Sequence, residues 1–439
     1  MHKKMTFVWF LLGLGGSLQV LASLSISECI ILISVPCIFV NEYRYMRWNG
    51  VSTFFWMSVL VIIGCVVACI ANQTFFLGVV RGLATTTIVS SSIVFSHWII
   101  RKDPNGFKWM FVGGALSSVI SVFFFQKAVD LAQFEGDIDL MMSGPIFWIQ
   151  QIGPFVTLPP RGWYIHMPMV VNVGAPIFMA MFSIFVSTSG RAAALTMLAF
   201  AGIVIIGGKT RKSMRRLSQH FWIVVCLALL GVFTIYYGYK MAAMSGILGE
   251  EARMKYEAQS QGSDSIGRLI LGGRGESFIG LLACRDKPIV GWGPWAKDTN
   301  GYREEFLMRF GTMEDVLALQ RHQQYMAKNG IGNEKLISCH AYITEFWVWY
   351  GIFGFVFWIY VIFVLLRYLR QDCFAVPQWF AWLACSIPGV LWGIFFSPFS
   401  SRIGVPMFIV ACLITRAVRT GKFRLPEEMI REVEEAEKK

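Results

Sequence analysis

The sequence predicts an all-α polytopic membrane protein of about twelve transmembrane helices with a large extracytoplasmic helical loop. Three observations lead there. The 439 residues are 55% hydrophobic and only 15% charged, more apolar surface than a water-soluble core can hide. Apolar stretches close to the ~20 residues that cross a ~30 Å hydrocarbon layer recur along almost the whole chain. The basic residues sit in short clusters between those stretches, as membrane orientation requires. The formal charge of +12 therefore reads as topology, with no nucleic acid as partner.

The first apolar stretch, Thr6–Leu24, follows His2-Lys3-Lys4 and resembles a signal peptide, but further spans follow at once and it is expected to be a retained helix. The next stretches are Ser27–Val40, Thr53–Ala71, Thr74–Ile100 and Trp109–Phe125, then Pro168–Val186, Ala192–Gly207 and Phe221–Tyr239. Ala341–Leu366, Trp379–Phe396 and Ile403–Leu413 complete the set. The clusters Lys3/Lys4, Arg44/Arg47, Arg101/Lys102/Lys108, Lys209–Arg216, Arg367/Arg370 and Arg416–Arg424 are expected on the cytoplasmic side. Parity adds a demand. From a cytoplasmic start the chain is outside after Phe125, yet Lys209–Arg216 must be inside. One more crossing is needed, and the weakly apolar Ile138–Leu158, followed by Pro159-Pro160, is the best candidate.

That topology divides the chain into N-terminal transmembrane helices (1–240), an extracytoplasmic loop domain (241–340), C-terminal transmembrane helices (341–418) and a cytoplasmic tail (419–439). A polar insertion of this length, among otherwise short connections, is where function is expected. Within it, Arg274–Arg285 sets Phe278, Leu281 and Leu282 at helical spacing. Arg303–Lys328 alternates charge with Phe306, Leu307, Phe310 and Met313.

An arginine in or at the edge of a span must find a cavity, a partner or headgroups. Arg81 is expected about two turns deep from the outer face, either facing an anion or paired in a buried ion pair. Arg191, in Ser189-Gly190-Arg191, and Arg402, in Ser400-Ser401-Arg402, open spans at the outer surface, where simple snorkelling is the alternative. In the loop, Gly272-Gly273-Arg274-Gly275 is expected to set an arginine at the mouth of a helix, an arrangement suited to anionic oxygens; a capped turn is the alternative. His340 stands where the loop re-enters the membrane, carrying the side chain that exchanges protons near neutral pH, with His322 as its rival.

Most of the ten cysteines lie in apolar spans and read as packing. Cys284 and Cys339 lie in the polar loop and could form a disulfide in an oxidising compartment. Glu135, Asp137 and Asp139 could be read as a divalent-ion site, but without further ligands they read better as a solvated edge, and no metal or other cofactor is expected. There is no phosphate-binding loop of the nucleotide hydrolases and no Gly-x-Ser-x-Gly elbow, so ATP-driven transport and serine-hydrolase chemistry have no support.

Three local features in order resemble the O-antigen ligase family, which includes lipopolysaccharide ligases and Wzy-type polymerases. They are Thr188-Ser189-Gly190-Arg191 before a small-residue helix; Gly273-Arg274 with Phe278, running on to Pro288 and Gly291-x-Gly293; and His340-Ala341-Tyr342 followed by Gly351 and Gly354. The resemblance covers roughly Thr188 to Phe355. Ala341 stands in place of the usual Asn, Trp349 stands where an acidic residue is frequent, and the Arg274–Pro288 spacing is a residue short.

The resemblance implies a GT-C-like membrane glycosyltransferase at the periplasmic face of a bacterial inner membrane. Its donor would be a polyprenyl diphosphate-linked glycan and its acceptor a hydroxyl of lipid A-core or of another glycan. It implies His340, Arg274 and Arg191 as catalytic residues and Arg81, Arg191, Arg274 and Arg402 as diphosphate contacts, with no metal. The other reading is a transporter or flippase of lipid-linked glycans or other lipids.

Overall fold

A computed structural model describes residues 2–16, 19–21, 24–104, 106, 109–110, 112–114, 116–117, 237–238, 240–242, 244–246, 253, 256–257, 266–311, 336–337, 339–372, 375–397, 399 and 402–425. The expected spans within 126–220, Arg191, the acidic patch at 135–139 and His322 lie outside these residues. What is described is mostly helical.

The chain begins with α1 (His2–Leu14), which corrects the expected span Thr6–Leu24. Thirteen residues rise only roughly 20 Å, short of a full crossing. Beyond it stand Gly15-Gly16-Ser17, poor helix formers, and the chain turns into a two-stranded antiparallel hairpin of β1 (Gln19–Leu21) and β2 (Leu24–Ser25). Ser25 then starts α2 (Ile26–Asn49) with a capping box: its hydroxyl accepts from the Glu28 N–H at 3.3 Å, and the Glu28 carboxylate accepts from the Ser25 N–H at 2.8 Å. Gly50, at φ +76°, closes the helix in a left-handed cap.

α2 runs nine residues past the expected Val40 because its polar end is matched. Glu42, fully buried, accepts from Arg101 and faces His97 Nδ1 at 2.9 Å; Asn49 Nδ2 lies 3.0 Å from His97 Nε2. This cluster ties the end of α2 to the end of α4 (Phe76–Lys102), with α3 (Ser52–Ala71) packed against both. The observed α3 and α4 differ from the expected spans by one or two residues at their ends.

The polar segment contributes α5 (Ile266–Asp286) and α6 (Tyr302–Phe310), which pack on each other. The expected single span Ala341–Leu366 is two helices, α7 (Tyr342–Tyr350) and α8 (Ile352–Arg367), broken at Gly351, whose φ of +62° and ψ of −148° suit only glycine. α8 folds back along α7. Tyr342 meets Trp358 at 5.1 Å between ring centroids, where a continuous helix would separate them by roughly 24 Å. Phe346 stacks on Phe357 at 5.9 Å, and Gly354 admits the α7 backbone, since a Cβ there would fall 2.2 Å from the Phe346 carbonyl oxygen.

α8 continues through a π-helical turn (Tyr368–Asp372), and α9 (Pro377–Phe396) and α10 (Gly404–Arg419) complete the described chain. One apolar core joins α1–α4 to α7–α10. Among the described residues four helices are long and apolar enough to cross a membrane: Ile26–Asn49, Ser52–Ala71, Phe76–Lys102 and Ile352–Asp372.

Candidate functional site

The polar segment is fastened to the helices by the turn that follows α5. Its two glycines have positive φ, +79° at Gly291 and +85° at Gly293, and both sit against backbone or side chain where a Cβ would collide. The turn grips the α7–α8 break. Trp292 N–H donates to the Val348 carbonyl at 2.6 Å, Ile352 N–H to the Ile289 carbonyl at 2.9 Å, and Trp347 Nε1 to the Pro288 carbonyl at 2.8 Å. From below, Asn72 Nδ2 donates to the Gly291 carbonyl at 3.0 Å. The two glycine motifs that carry the family resemblance thus meet backbone to backbone.

The same segment places His340. Ile337 N–H donates to the Ala296 carbonyl at 2.9 Å, Lys297 pairs with Leu336 in an isolated bridge, and the extended Ala341 leads into α7. His340 therefore stands at the start of α7, and its Nδ1 pairs with the Glu276 carboxylate of α5, both side chains being 44% exposed. Glu276 was not among the residues the sequence singled out. Its partner lies far along the chain, and the one available signal was its position beside Arg274 in a helix-forming stretch. A carboxylate on Nδ1 orients the ring and leaves Nε2 as the nitrogen able to take a proton.

Arg274 lies in the interior of α5, and its side chain is outside the described residues. The expectation that the glycine-arginine stretch opens a helix is corrected. α5 begins at Ile266, six residues before Gly272, so these glycine amides are not the free amides of a helix start. At Gly275 the reason for glycine is packing, because a Cβ would fall 2.8 Å from the Phe306 ring of α6.

Arg81 is exposed on the second turn of α4, its guanidinium 5.8 Å from the centroid of the Trp295 ring. Trp295 in turn stacks on Trp349 at 4.4 Å. Gly78 and Gly82 flank Arg81 and seat this part of the turn; a Cβ on Gly82 would fall 2.2 Å from Pro294 Cγ. Trp349 is near the far end of α7, nine residues after His340, so the Arg81 stack and His340 are separated by roughly 14 Å along that helix and its approach.

Arg402 is placed differently. Its Nε lies 2.8 Å and its Nη2 3.2 Å from the two oxygens of Glu28, the carboxylate that also caps α2. Neither an open anion contact nor the snorkelling alternative describes this arginine: it is paired, and its charge is largely matched within the protein. Nearby, Phe399 packs on Tyr342 and Phe346, and its N–H donates at 2.8 Å to the buried Glu345, a second carboxylate absent from the sequence reading.

Cys284 and Cys339 join one apolar cluster with Ile279, Ala283 and Val348, both as free thiols. Burial pushes both thiols above their ordinary pKa, and the unreactive neutral form dominates. At the α5–α6 contact, Arg285 pairs with Asp286 and Glu305 and holds both carboxyls below their usual range, while Tyr302 donates to Asp286 at 2.8 Å.

These features describe a mostly helical protein, with four helices long and apolar enough to cross a membrane among the described residues and a polar helical segment clamped to a broken helix. No protein-family model matches the chain, and no curated protein matches it either.

Proposed function

We propose that the protein is a membrane glycosyltransferase that moves a glycan from a polyprenyl diphosphate carrier to an acceptor hydroxyl. The acceptor belongs to lipid A-core or to a growing polysaccharide, and the reaction takes place at the periplasmic face of a bacterial inner membrane. The finer topology, about twelve spans with residues 241–340 outside, belongs to the same proposal. The observation that carries it is the Glu276–His340 pair at the start of α7, on the segment that resembles the ligase and polymerase family.

In this reading Glu276 fixes the imidazole through Nδ1, and Nε2 takes the proton of the attacking hydroxyl. The hydroxyl oxygen bonds to the anomeric carbon as the bond from that carbon to the diphosphate oxygen breaks, with inversion. Negative charge builds on the departing diphosphate. Guanidinium groups would stabilise it, Arg191 and Arg274 first, with Arg81 in support, whereas the pairing of Arg402 with Glu28 takes that arginine out of the role expected for it. Diphosphate is already a good leaving group, so the step needs no metal.

The test uses purified protein, a lipid-linked donor and an acceptor. His340→Ala should lower transfer about 100-fold or more while donor binding persists. Glu276→Gln should lower kcat with KM little changed, and Glu276→Asp should recover part of the loss. Wild-type transfer by His340→Ala would refute the mechanism, and movement of lipid across vesicles with no glycan product would favour a transporter. One transfer to a distinct acceptor indicates a ligase, and a lengthening ladder a polymerase.

A further inference from the structure

The far end of α8 carries an arginine cluster that the transfer reaction does not use. There α8 runs into the π-helical turn Tyr368–Asp372, and Asp372 is turned inward, only 2% exposed. Widened turns of this kind recur at functional sites. Arg419 of α10 donates from Nε to Asp372 Oδ1, and Arg367 of α8 places its Nε 3.9 Å from Oδ2, beyond hydrogen-bond length. Arg416, one turn before Arg419, is exposed and close enough for its charge to act on the same carboxylate. Because Arg367 and Arg419 approach the two oxygens of one carboxylate, their Nε atoms lie within roughly 9 Å of each other.

Three guanidinium groups thus share one carboxylate, and among the described residues two positive charges are left over. Arg402 and Arg101 differ, since each meets a carboxylate of its own, Glu28 and Glu42. The Arg367 Nε is buried and has no hydrogen-bond partner among the described residues, a costly state for a charged donor. Snorkelling alone would spread three such side chains freely through the headgroup layer. Here a buried carboxylate gathers them. An apolar path on α8 leads to the same place. Val356, Ile359, Phe363 and Leu366, each 39–55% exposed and spaced to share one helix face, form a stripe that ends on the exposed Arg370.

We propose that Arg367, Arg416 and Arg419 form a binding site for the phosphate of an anionic phospholipid, whose acyl chain lies along the α8 stripe from Val356 to Leu366. One phosphate accepts from several guanidinium donors at once, and two groups held at a single carboxylate are within reach of it together. The surplus charge selects an anionic headgroup over a zwitterionic one, and the stripe selects a lipid over soluble phosphate. The site is separate from the candidate reacting centre. Trp358, beside which Tyr342 stands, is roughly 20 Å from Asp372 along α8 and its π-helical turn. On the proposed topology this end of α8 faces the cytoplasm, and the inference does not depend on the transfer reaction.

The experiment is native mass spectrometry of the full chain in detergent, with phosphatidylglycerol, phosphatidylcholine or inorganic phosphate added separately and in competition. The wild type should retain phosphatidylglycerol about tenfold more than phosphatidylcholine, and inorganic phosphate should displace little of it. Arg367→Gln/Arg416→Gln removes the two surplus charges, leaves the Arg419–Asp372 pair intact, and should abolish most of that preference. A melting midpoint close to wild type shows that the double variant is folded; if it is not, Arg416→Gln alone, at an exposed position, should lower the preference about threefold. Arg44→Gln/Arg47→Gln removes two exposed charges from the end of α2 and should leave the preference unchanged, which separates a built site from basic charge in general. Unchanged preference in the Arg367/Arg416 variant would overturn the proposal, as would an equal loss in the Arg44/Arg47 variant or displacement of the lipid by inorganic phosphate at equal concentration.

Discussion

Gly351→Ala is the sharpest structural test, because Gly50 provides its own control. Both glycines have positive φ, +76° at Gly50 and +62° at Gly351, so alanine is strained at either. At Gly50 a Cβ meets nothing within 4 Å, and the cost is conformational only, about 1–2 kcal/mol. At Gly351 the new Cβ would stand 2.0 Å from the Ile289 carbonyl oxygen and 2.6 Å from the Val290 carbonyl carbon. These are backbone atoms that must move. Their movement breaks the Ile352-to-Ile289 hydrogen bond and strains the Trp292-to-Val348 bond. Two such bonds contribute about 1–3 kcal/mol together, and the backbone strain adds about 1–3 kcal/mol, for a loss of roughly 2–6 kcal/mol. Thermal midpoints of wild type and both variants in one detergent should rank Gly351→Ala clearly lowest. Hydrogen exchange should show the Ile352 and Trp292 amides opening in that variant alone. Equal midpoints for the two alanine variants, with both amides still protected, would mean that the turn after α5 does not grip the α7–α8 break.

Three further perturbations probe other joints. Glu42→Ala leaves His97 and Arg101 without their carboxylate and should cost about 3–5 kcal/mol, read as a lower thermal midpoint; a near-neutral result would show that the cluster is not buried. In a double-mutant cycle, Glu28→Gln and Arg402→Gln should couple by more than ~1 kcal/mol, beyond what an exposed pair supplies; additive losses would dissolve the assigned pair. At the α5–α6 contact, Asp286 and Glu305 have folded pKa values held down by Arg285, so their contribution is present above the unfolded carboxylate range near ~4 and is lost as pH falls through the folded values. Proteolytic cleavage between α5 and α6 should therefore rise on acidification below pH ~4 and change less in Arg285→Ala.

Legibility in the sequence followed the range of the interactions that decide each element. Expected and observed bounds for α3 and α4 nearly coincide because each is a long apolar run with polar punctuation at both ends. The same run of apolar residues hid the break at Gly351. Helix-forming residues continue on both sides, and what bends the chain there is a turn some sixty residues earlier. The placement of His340 at the start of α7 was legible as the end of a polar segment. Its partner Glu276 was not, since neither residue's neighbours point to the other. Arg402 shows the limit most sharply, because its Glu28 partner is 374 residues away and no local pattern distinguishes a matched arginine from an open one.

The arginines can now be separated by what surrounds them. Buried charge is tolerated when it is matched, and Arg402 and Arg101 each sit against a carboxylate that also has a structural task, Glu28 in a helix cap and Glu42 in a helix junction. Arg81 instead rests on an aromatic face, which orients the guanidinium, and among the described residues no carboxylate pairs with it. The break at Gly351 then acquires a reason. A continuous helix from Ala341 to Leu366 would carry the ring of Trp349 away from Trp295 and the turn away from α4. Folding α7 back on α8 sets His340 near the depth of Trp358 while its other end meets the Arg81 stack. One nine-residue helix thereby sets the spacing between His340 and the Arg81–Trp295 stack, and under the proposed transfer reaction a change in that spacing is the structural effect by which Gly351→Ala would impair activity beyond its cost in stability.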